Sequence, residues 1–142
     1  MTRNPNKPAA QNLLKLGSNI SLQECDLTNQ SSLKNALKGA YGFYAVTDYF
    51  SHKITKLEDV TEEEEGKLLA DVAKEVGIKH YVWSTLPEVK ERSGGKFAHV
   101  HHFDGKHRIE QYVRSLGFEI ASYVAPSAYF QNFMGSQTRK VR

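Results

Sequence analysis

His102 and Lys106 stand four residues apart in the stretch His101-His102-Phe103-Asp104-Gly105-Lys106. On a helix that interval puts both side chains on one face. An imidazole that exchanges protons near neutral pH would then sit beside a fixed cation, and this pair is the candidate catalytic constellation. His99, His101, His102 and His107, with Asp104, also raise the question of a metal, because imidazole and carboxylate are zinc ligands. Their spacing matches no compact zinc motif, and the chain's one cysteine, Cys25, is remote in sequence. No metal is expected.

The elements that must position this pair follow from periodicity. Pro8 opens a short helix with Ala10, Leu13 and Leu14 at helical spacing, and Gly17 stops it. Asn19 to Leu27 alternates as a strand with Ile20, Leu22 and Cys25 inward. Thr28 is the expected N-cap of the next helix, whose apolar face is Leu33, Ala36, Leu37 and Ala40. Tyr41 to Val46 is a compact aromatic and aliphatic run, as suits a parallel strand covered on both faces. Phe50 to Asp59 reads as a loop. Thr61 and the acids Glu62 to Glu65 open a helix whose first turn complements the dipole; Leu69, Val72, Ala73 and Val76 form its face and Gly77 ends it. His80 to Ser84 is a strand, and Glu88 to Lys96 a mobile loop around Gly94-Gly95. Ile109, Tyr112, Val113 and Leu116 mark a further helix ended by Gly117, with Glu110 and Arg114 paired on its outer face. Phe118 to Val124 is the last strand.

Strict alternation of helix and strand implies βαβ crossovers. The expected fold is α/β, a partial Rossmann-type doubly wound parallel sheet with helices on both faces, in one domain over residues 1–142. Such sheets bind ligands beyond the carboxyl ends of their strands. Those ends carry Asp26-Leu27, Thr47-Asp48-Tyr49, Ser84-Thr85-Leu86-Pro87 and Tyr129-Phe130-Gln131-Asn132. If a strand precedes Thr2, Arg3 stands at its carboxyl end. In a dinucleotide fold an arginine there accommodates a 2′-phosphate, so Arg3 with Lys7 points to NADP(H) over NAD(H).

Composition bounds the class. The 142 residues carry 39% hydrophobic and 25% charged side chains, with seven Tyr, seven Phe and one Trp, enough for one folded core. A net charge of +3, with basic residues spread along the chain except for the tail Arg139, Lys140 and Arg142, does not argue for direct nucleic-acid binding. A lone cysteine forms no internal disulfide, and no apolar run reaches the roughly 20 residues that span a bilayer. The expected location is the cytoplasm, with access to the nucleus, and no membrane partner is expected.

The sequence resembles the NmrA-like family of the atypical short-chain dehydrogenase/reductase group. The resemblance is carried by Thr2-Arg3-Asn4-Pro5, Asp26-Leu27, Val46-Thr47-Asp48-Tyr49, Glu65-Gly66-Lys67, the run from Gly77 to Ser84, His102-Phe103-Asp104-Gly105-Lys106 and Tyr129-Phe130-Gln131-Asn132-Phe133. It implies a Rossmann-type domain that binds NADP(H). Arg3, Asn4, Pro5, Asn6 and Lys7 would meet the adenosine 2′-phosphate, and Asp26 and Leu27 would lie beside the adenine. Thr47, Asp48 and Tyr49 would run along the cofactor. Lys106 would be the helix lysine, and Tyr129, Phe130, Gln131 and Asn132 would lie over the nicotinamide side. Short-chain dehydrogenases carry a Tyr four residues before that lysine, whereas this chain has His102. The resemblance also implies that the chain begins after the family's first strand and glycine-rich loop and stops before its carboxyl-terminal region. Losing the loop's amides would weaken the cofactor, at roughly 0.5–1.5 kcal/mol for each net hydrogen bond and more for charged ones.

Three functions stay open at this point. The first is an NADP(H)-binding redox sensor that acts on transcription or signalling through protein partners such as a transcription factor or signalling enzyme, with room for a homodimer. The second is an NADPH-dependent oxidoreductase of the quinone or carbonyl reductase kind. The third is an interaction fragment that binds no nucleotide.

Overall fold

The computed structural model describes residues 1–50 and 61–126. Three parallel strands, β1 (Gly42–Ala45), β2 (His80–Ser84) and β3 (Ile120–Val124), form a sheet in that order. Phe43 pairs with Tyr81 and Ala45 with Trp83, while Tyr81 pairs with Ala121 and Trp83 with Tyr123. One face of the sheet therefore carries Phe43, Ala45, Tyr81 and Trp83, all buried. Each crossover between these strands contains a helix, as parallel pairing requires. They are α3 (Glu62–Glu75) and α5 (His101–Ser115), with a single turn, α4 (Val89–Arg92), between β2 and α5. Ahead of the sheet come α1 (Pro8–Leu13), continued by a 3-10 turn over Leu14–Leu16, and α2 (Gln30–Leu37).

The core forms where α2, α3 and α5 meet the Trp83 face. Leu33 and Leu37 of α2, Leu69, Val72 and Ala73 of α3, and Ile109 and Val113 of α5 are buried there with Tyr81 and Trp83. The apolar faces expected of these helices are the faces that pack, except that Ala40 is exposed beyond the end of α2. Gly77 and Gly117 take φ of 80° and 61°, the left-handed conformation by which a glycine ends a helix and turns the chain into the next strand. Tyr81 stacks on Phe118 and meets Phe43 edge-on. Burial pushes the Tyr81 phenol well above its ordinary pKa.

Several expectations change. Asn19 to Leu27 does not form a full strand. Thr2 and Glu24 make an isolated parallel bridge, in which Thr2 N donates to the Gln23 carbonyl and Cys25 N to the Thr2 carbonyl, each at 2.9 Å. A strand exists through its pairing, and alternation in the sequence cannot supply a partner. Cys25 is nonetheless buried, as its alternation implied, while Ile20 and Leu22 are half-buried. The N-cap of α2 is Asn29 and not Thr28: the Asn29 side chain accepts from Ser32 N at 2.9 Å. Nor is β1 covered on both faces among the described residues, because Tyr44 is 54% exposed and Val46 47% exposed. Leu13, Leu14 and Leu16 bury no face either. The expected loop between Phe50 and Asp59 falls mostly outside the described residues. The segment from Glu88 to Lys96 holds the turn of α4 followed by Gly94 and Gly95 at φ of 62° and 84°.

The approach of α3 to α5 positions the site, and Gly66 sets it. A Cβ on Gly66 would stand 2.6 Å from Ile109 Cδ1 and 2.9 Å from its Cγ1 and Cγ2. Gly66→Ala is therefore expected to lose about 1–3 kcal/mol in urea unfolding through overpacking. The same change made in an Ile109→Ala background should cost measurably less. Equal losses in the two backgrounds would show that the two residues do not limit the crossing.

Candidate functional site

The carboxyl ends of the strands open onto two pockets that share Val46 and Asp48. The first, about 490 Å³, lies between the Thr2–Glu24 bridge and the end of β1, and its lining includes Arg3, Asp26, Leu27 and Glu65. The second, about 410 Å³, lies between the ends of β1 and β2 and the start of α5; Thr47, Tyr49, Phe50, Leu86, His102 and Lys106 contribute to its wall. The crevice expected from strand alternation is where the sheet places it.

In the first pocket Asp26 is held by a local turn. Its Oδ1 accepts from Thr28 N at 3.0 Å and from the Thr28 hydroxyl at 2.8 Å. The Thr28 amide first, then the Thr28 hydroxyl, and to a lesser degree the Arg3 guanidinium hold the carboxyl below the ordinary value of 3.8. Asp26 N in turn donates to Ser32 Oγ at 3.1 Å, fixing the strand end to the first turn of α2. Asn4, Pro5, Asn6 and Lys7 lie outside the linings of both pockets. They make the turn into α1, with Asn6 N donating to Asn4 Oδ1 at 2.9 Å and the Gln11 side-chain amide donating to the Pro5 carbonyl at 2.7 Å.

The second pocket is built around Lys106. Its Nζ donates to the Thr47 carbonyl and to Thr47 Oγ1 at 2.9 Å each, and lies 3.0 Å from Glu62 Oε1. The Thr47 hydroxyl donates to the same carboxylate oxygen at 2.7 Å. The Lys106 and Glu62 side chains are 11% and 5% exposed, so this is a buried ion pair. The Lys106 ammonium also lies 5.4 Å from the centre of the Trp83 ring, whose Nε1 donates to the Lys106 carbonyl at 3.1 Å. His102 packs against Tyr49 and Phe50 at ring separations of 5.6 Å each, and against Phe103 at 4.8 Å. His102 and Lys106 thus both line one pocket, as their interval required.

The same motif fixes the neighbouring loop. Asp104, buried, accepts from Val89 N at 2.8 Å and so caps the first turn of α4. Gly105 lies over the start of α3, where a Cβ would stand 3.6 Å from Glu62 Oε2. Deeper still, the Thr85 hydroxyl donates to Glu110 Oε2 at 2.7 Å while Arg114 donates through Nε and Nη2 to Glu110 Oε1 at 2.9 and 2.7 Å. The expected Glu110–Arg114 pair forms, but Glu110 is buried and not on an outer face. Arg114 covers the Tyr123 ring at 3.8 Å.

Sequence reasoning misses Glu62 and Glu110 as site residues, and it names Thr85 only as one of the strand-end residues and Asp104 only beside the histidines and within the family motif. Glu62 stands in a run of four acids that differ only in angle around the helix. Glu62 and Glu65 turn inward, Glu63 pairs with Arg108, and Glu64 closes a capping box with Thr61. Among the described residues no group of three or more His, Cys, Asp and Glu side chains could hold a metal ion. Tyr129, Phe130, Gln131 and Asn132 lie outside the described residues. No helix among the described residues is long and apolar enough to cross a membrane.

A parallel α/β sheet with its crevice at the strand ends defines a Rossmann-like domain. Residues 1–141 match the model of the NmrA-like family. The chain belongs to that family. It is 32% identical over 135 residues to the NmrA-like family domain-containing oxidoreductase hkm9 of Aspergillus hancockii, an alignment covering 94% of this chain and 39% of the relative. It is 36% identical over 72 residues to the nitrogen metabolite repression protein nmr of Neurospora crassa, covering 51% of this chain and 14% of that protein. The chain therefore spans about two fifths of the length of the oxidoreductase relative. Its fold is similar to that of the Escherichia coli NADPH-dependent quinone oxidoreductase QOR2 complexed with NADPH, with a TM-score of 0.65 at 17% identity, over 93% of this chain and 40% of that one.

Two measurements check this geometry. Because the folded pKa of Asp26 is lowered, the turn's contribution to stability is present above the ordinary value of 3.8 and is lost as pH falls through the lowered value. Carboxyl NMR titration is expected to find Asp26 below that value, and Thr28→Val should move it part of the way back; an unchanged midpoint would remove the hydroxyl from the account. Asp104→Ala should cost about 1.5–3 kcal/mol in urea unfolding, as for a hydrogen bond to a charged group, and should abolish exchange protection of the Val89 amide. Retained protection at Val89 would show that the loop is held by other contacts.

Proposed function

We propose that this chain is the NADP(H)-binding part of an NmrA-like protein, and that bound cofactor reports redox state to protein partners in transcription or signalling. One observation carries the cofactor reading: the two pockets meet at Val46 and Asp48 along the carboxyl ends of the strands. The first offers a guanidinium, Arg3, and a carboxylate, Asp26, suited to a phosphorylated ribose. The second offers a largely apolar and aromatic wall suited to a planar ring. The residues present thus fit both ends of a dinucleotide, with Arg3 favouring NADP(H) over NAD(H). The regulatory use is supported by the match to the nitrogen metabolite repression protein. In this reading the protein works in the cytoplasm with access to the nucleus, and the partner makes any DNA contact.

A second reading, an NADPH-dependent reductase of quinones or carbonyl compounds, is favoured by the match to hkm9, which is described as an oxidoreductase. In that reading a bound reduced nicotinamide would supply the hydride that reduces the substrate. His102 delivers a proton to the substrate oxygen and is reprotonated from solvent.

The deciding experiment is calorimetric titration of NADPH and NADH into this chain, and into the chain extended by a relative's glycine-rich-loop segment. NADPH is expected to bind more tightly than NADH, and Arg3→Ala should remove about a tenfold preference, as for a charge-assisted contact. No binding to either form would sink the cofactor reading and leave the interaction-fragment alternative. Steady NADPH oxidation with a quinone, abolished by His102→Ala, would select the reductase over the sensor.

A further inference from the structure

An ammonium has three protons to donate. Lys106 faces three acceptors, the Thr47 carbonyl, Thr47 Oγ1 and Glu62 Oε1, at 2.9, 2.9 and 3.0 Å. The Thr47 hydroxyl turns its own proton to Glu62 at 2.7 Å, which leaves its lone pairs to Lys106. The two charges are held together out of water, with the side chains 11% and 5% exposed. Lys106 nevertheless lines the pocket that His102 and Tyr49 also line. A bare lysine at that place would draw an anion. Here its charge is already cancelled and its protons are already placed.

We propose that Glu62 is a positioning and specificity-determining residue: with Thr47 it takes up the charge and all three protons of Lys106, so that the pocket beside His102 has a neutral floor and selects an uncharged planar ligand. The remaining wall agrees. Among the described residues Tyr49, Phe50 and Leu86 present apolar or aromatic surface. His102 remains the group able to exchange a proton with such a ligand. A carbonyl compound or quinone has the required chemistry; a carboxylate does not. The step from sequence to this arrangement is tertiary, since Glu62 opens α3 and Lys106 lies in α5. It rests on the reading of this pocket as the reactive end of the crevice and names what that end accepts.

The test uses the whole chain and two probes of one shape, benzamide (uncharged) and benzoate (anionic), followed through the NMR shifts of His102 and Tyr49. The wild-type protein is expected to prefer benzamide. Glu62→Gln, which keeps the shape and removes the counter-charge, should swing the preference toward benzoate by about tenfold, the effect of unmasking one partly buried charge. In the wild type the Lys106 Nζ protons should exchange slowly and remain protected when benzamide is bound. That second measurement needs no variant and stands if Glu62→Gln fails to fold. A wild-type preference for benzoate, loss of Nζ protection on benzamide binding, a folded Glu62→Gln with unchanged preference, or binding of neither probe would each overturn the proposal. The probes require no cofactor, so these failures are separate from a failed NADPH titration.

Discussion

The buried pair of Lys106 and Glu62 is the interaction on which the rest of the crevice depends. Two opposite charges removed from water are stable together only when close and when their remaining hydrogen-bonding capacity is largely met. Thr47 meets that of Lys106 from the end of β1, with its carbonyl and its hydroxyl, and its hydroxyl donates to Glu62 Oε1, while Glu62 Oε2 is buried without a hydrogen-bond partner among the described residues. One ion pair thereby ties a strand end to the starts of two helices. Removing either charge would leave the other unpaired in the interior, so α3, α5 and the β1 end are fixed as a unit.

The close approach of the helices is what permits the pair. Gly66 allows Ile109 to lie against α3, whereas a Cβ on Gly105 would meet Glu62 Oε2 at an ordinary contact distance of 3.6 Å. Both glycines sit inside helices, where glycine is unfavourable by about 1 kcal/mol relative to alanine. The position of Gly66 makes sense as a packing device and not as a turn residue. The run from His102 to Lys106 thus distributes its work along little more than one turn of helix. His102 faces the pocket among aromatic rings, Asp104 accepts from the first amide of α4, and Lys106 closes the base.

A second polar system runs parallel to the first, from Thr85 through Glu110 to Arg114 and the Tyr123 ring. It joins the end of β2 to α5 and to β3, as Lys106 joins β1 to α3 and α5. Hydroxyls at the ends of two adjacent strands, Thr47 and Thr85, each donate to a buried glutamate on a covering helix, at 2.7 Å in both cases. Such short bonds to ionised acceptors are stronger than neutral ones. They hold the rim of the crevice while the pocket walls between them stay apolar.

The sequence by itself determined the parallel α/β class, the strands His80 to Ser84 and Tyr41 to Val46 to within a residue or two, and the buried faces of three helices. Each follows from local periodicity and stop signals that a chain carries with it. It also determined that His102 and Lys106 share a face, because helical spacing alone decides that. Only the tertiary structure decided which two of four consecutive glutamates turn inward, that Glu110 is buried while Arg114 reaches the surface, and that Asp104 serves a loop fifteen residues earlier. It likewise reduced the alternating run from Asn19 to Leu27 to a single bridge at Glu24. The physical reason is common to all of these. Periodicity fixes a side chain's angle around its own element, whereas its charge partner or pairing strand comes from another element, and the sequence carries no local record of that meeting.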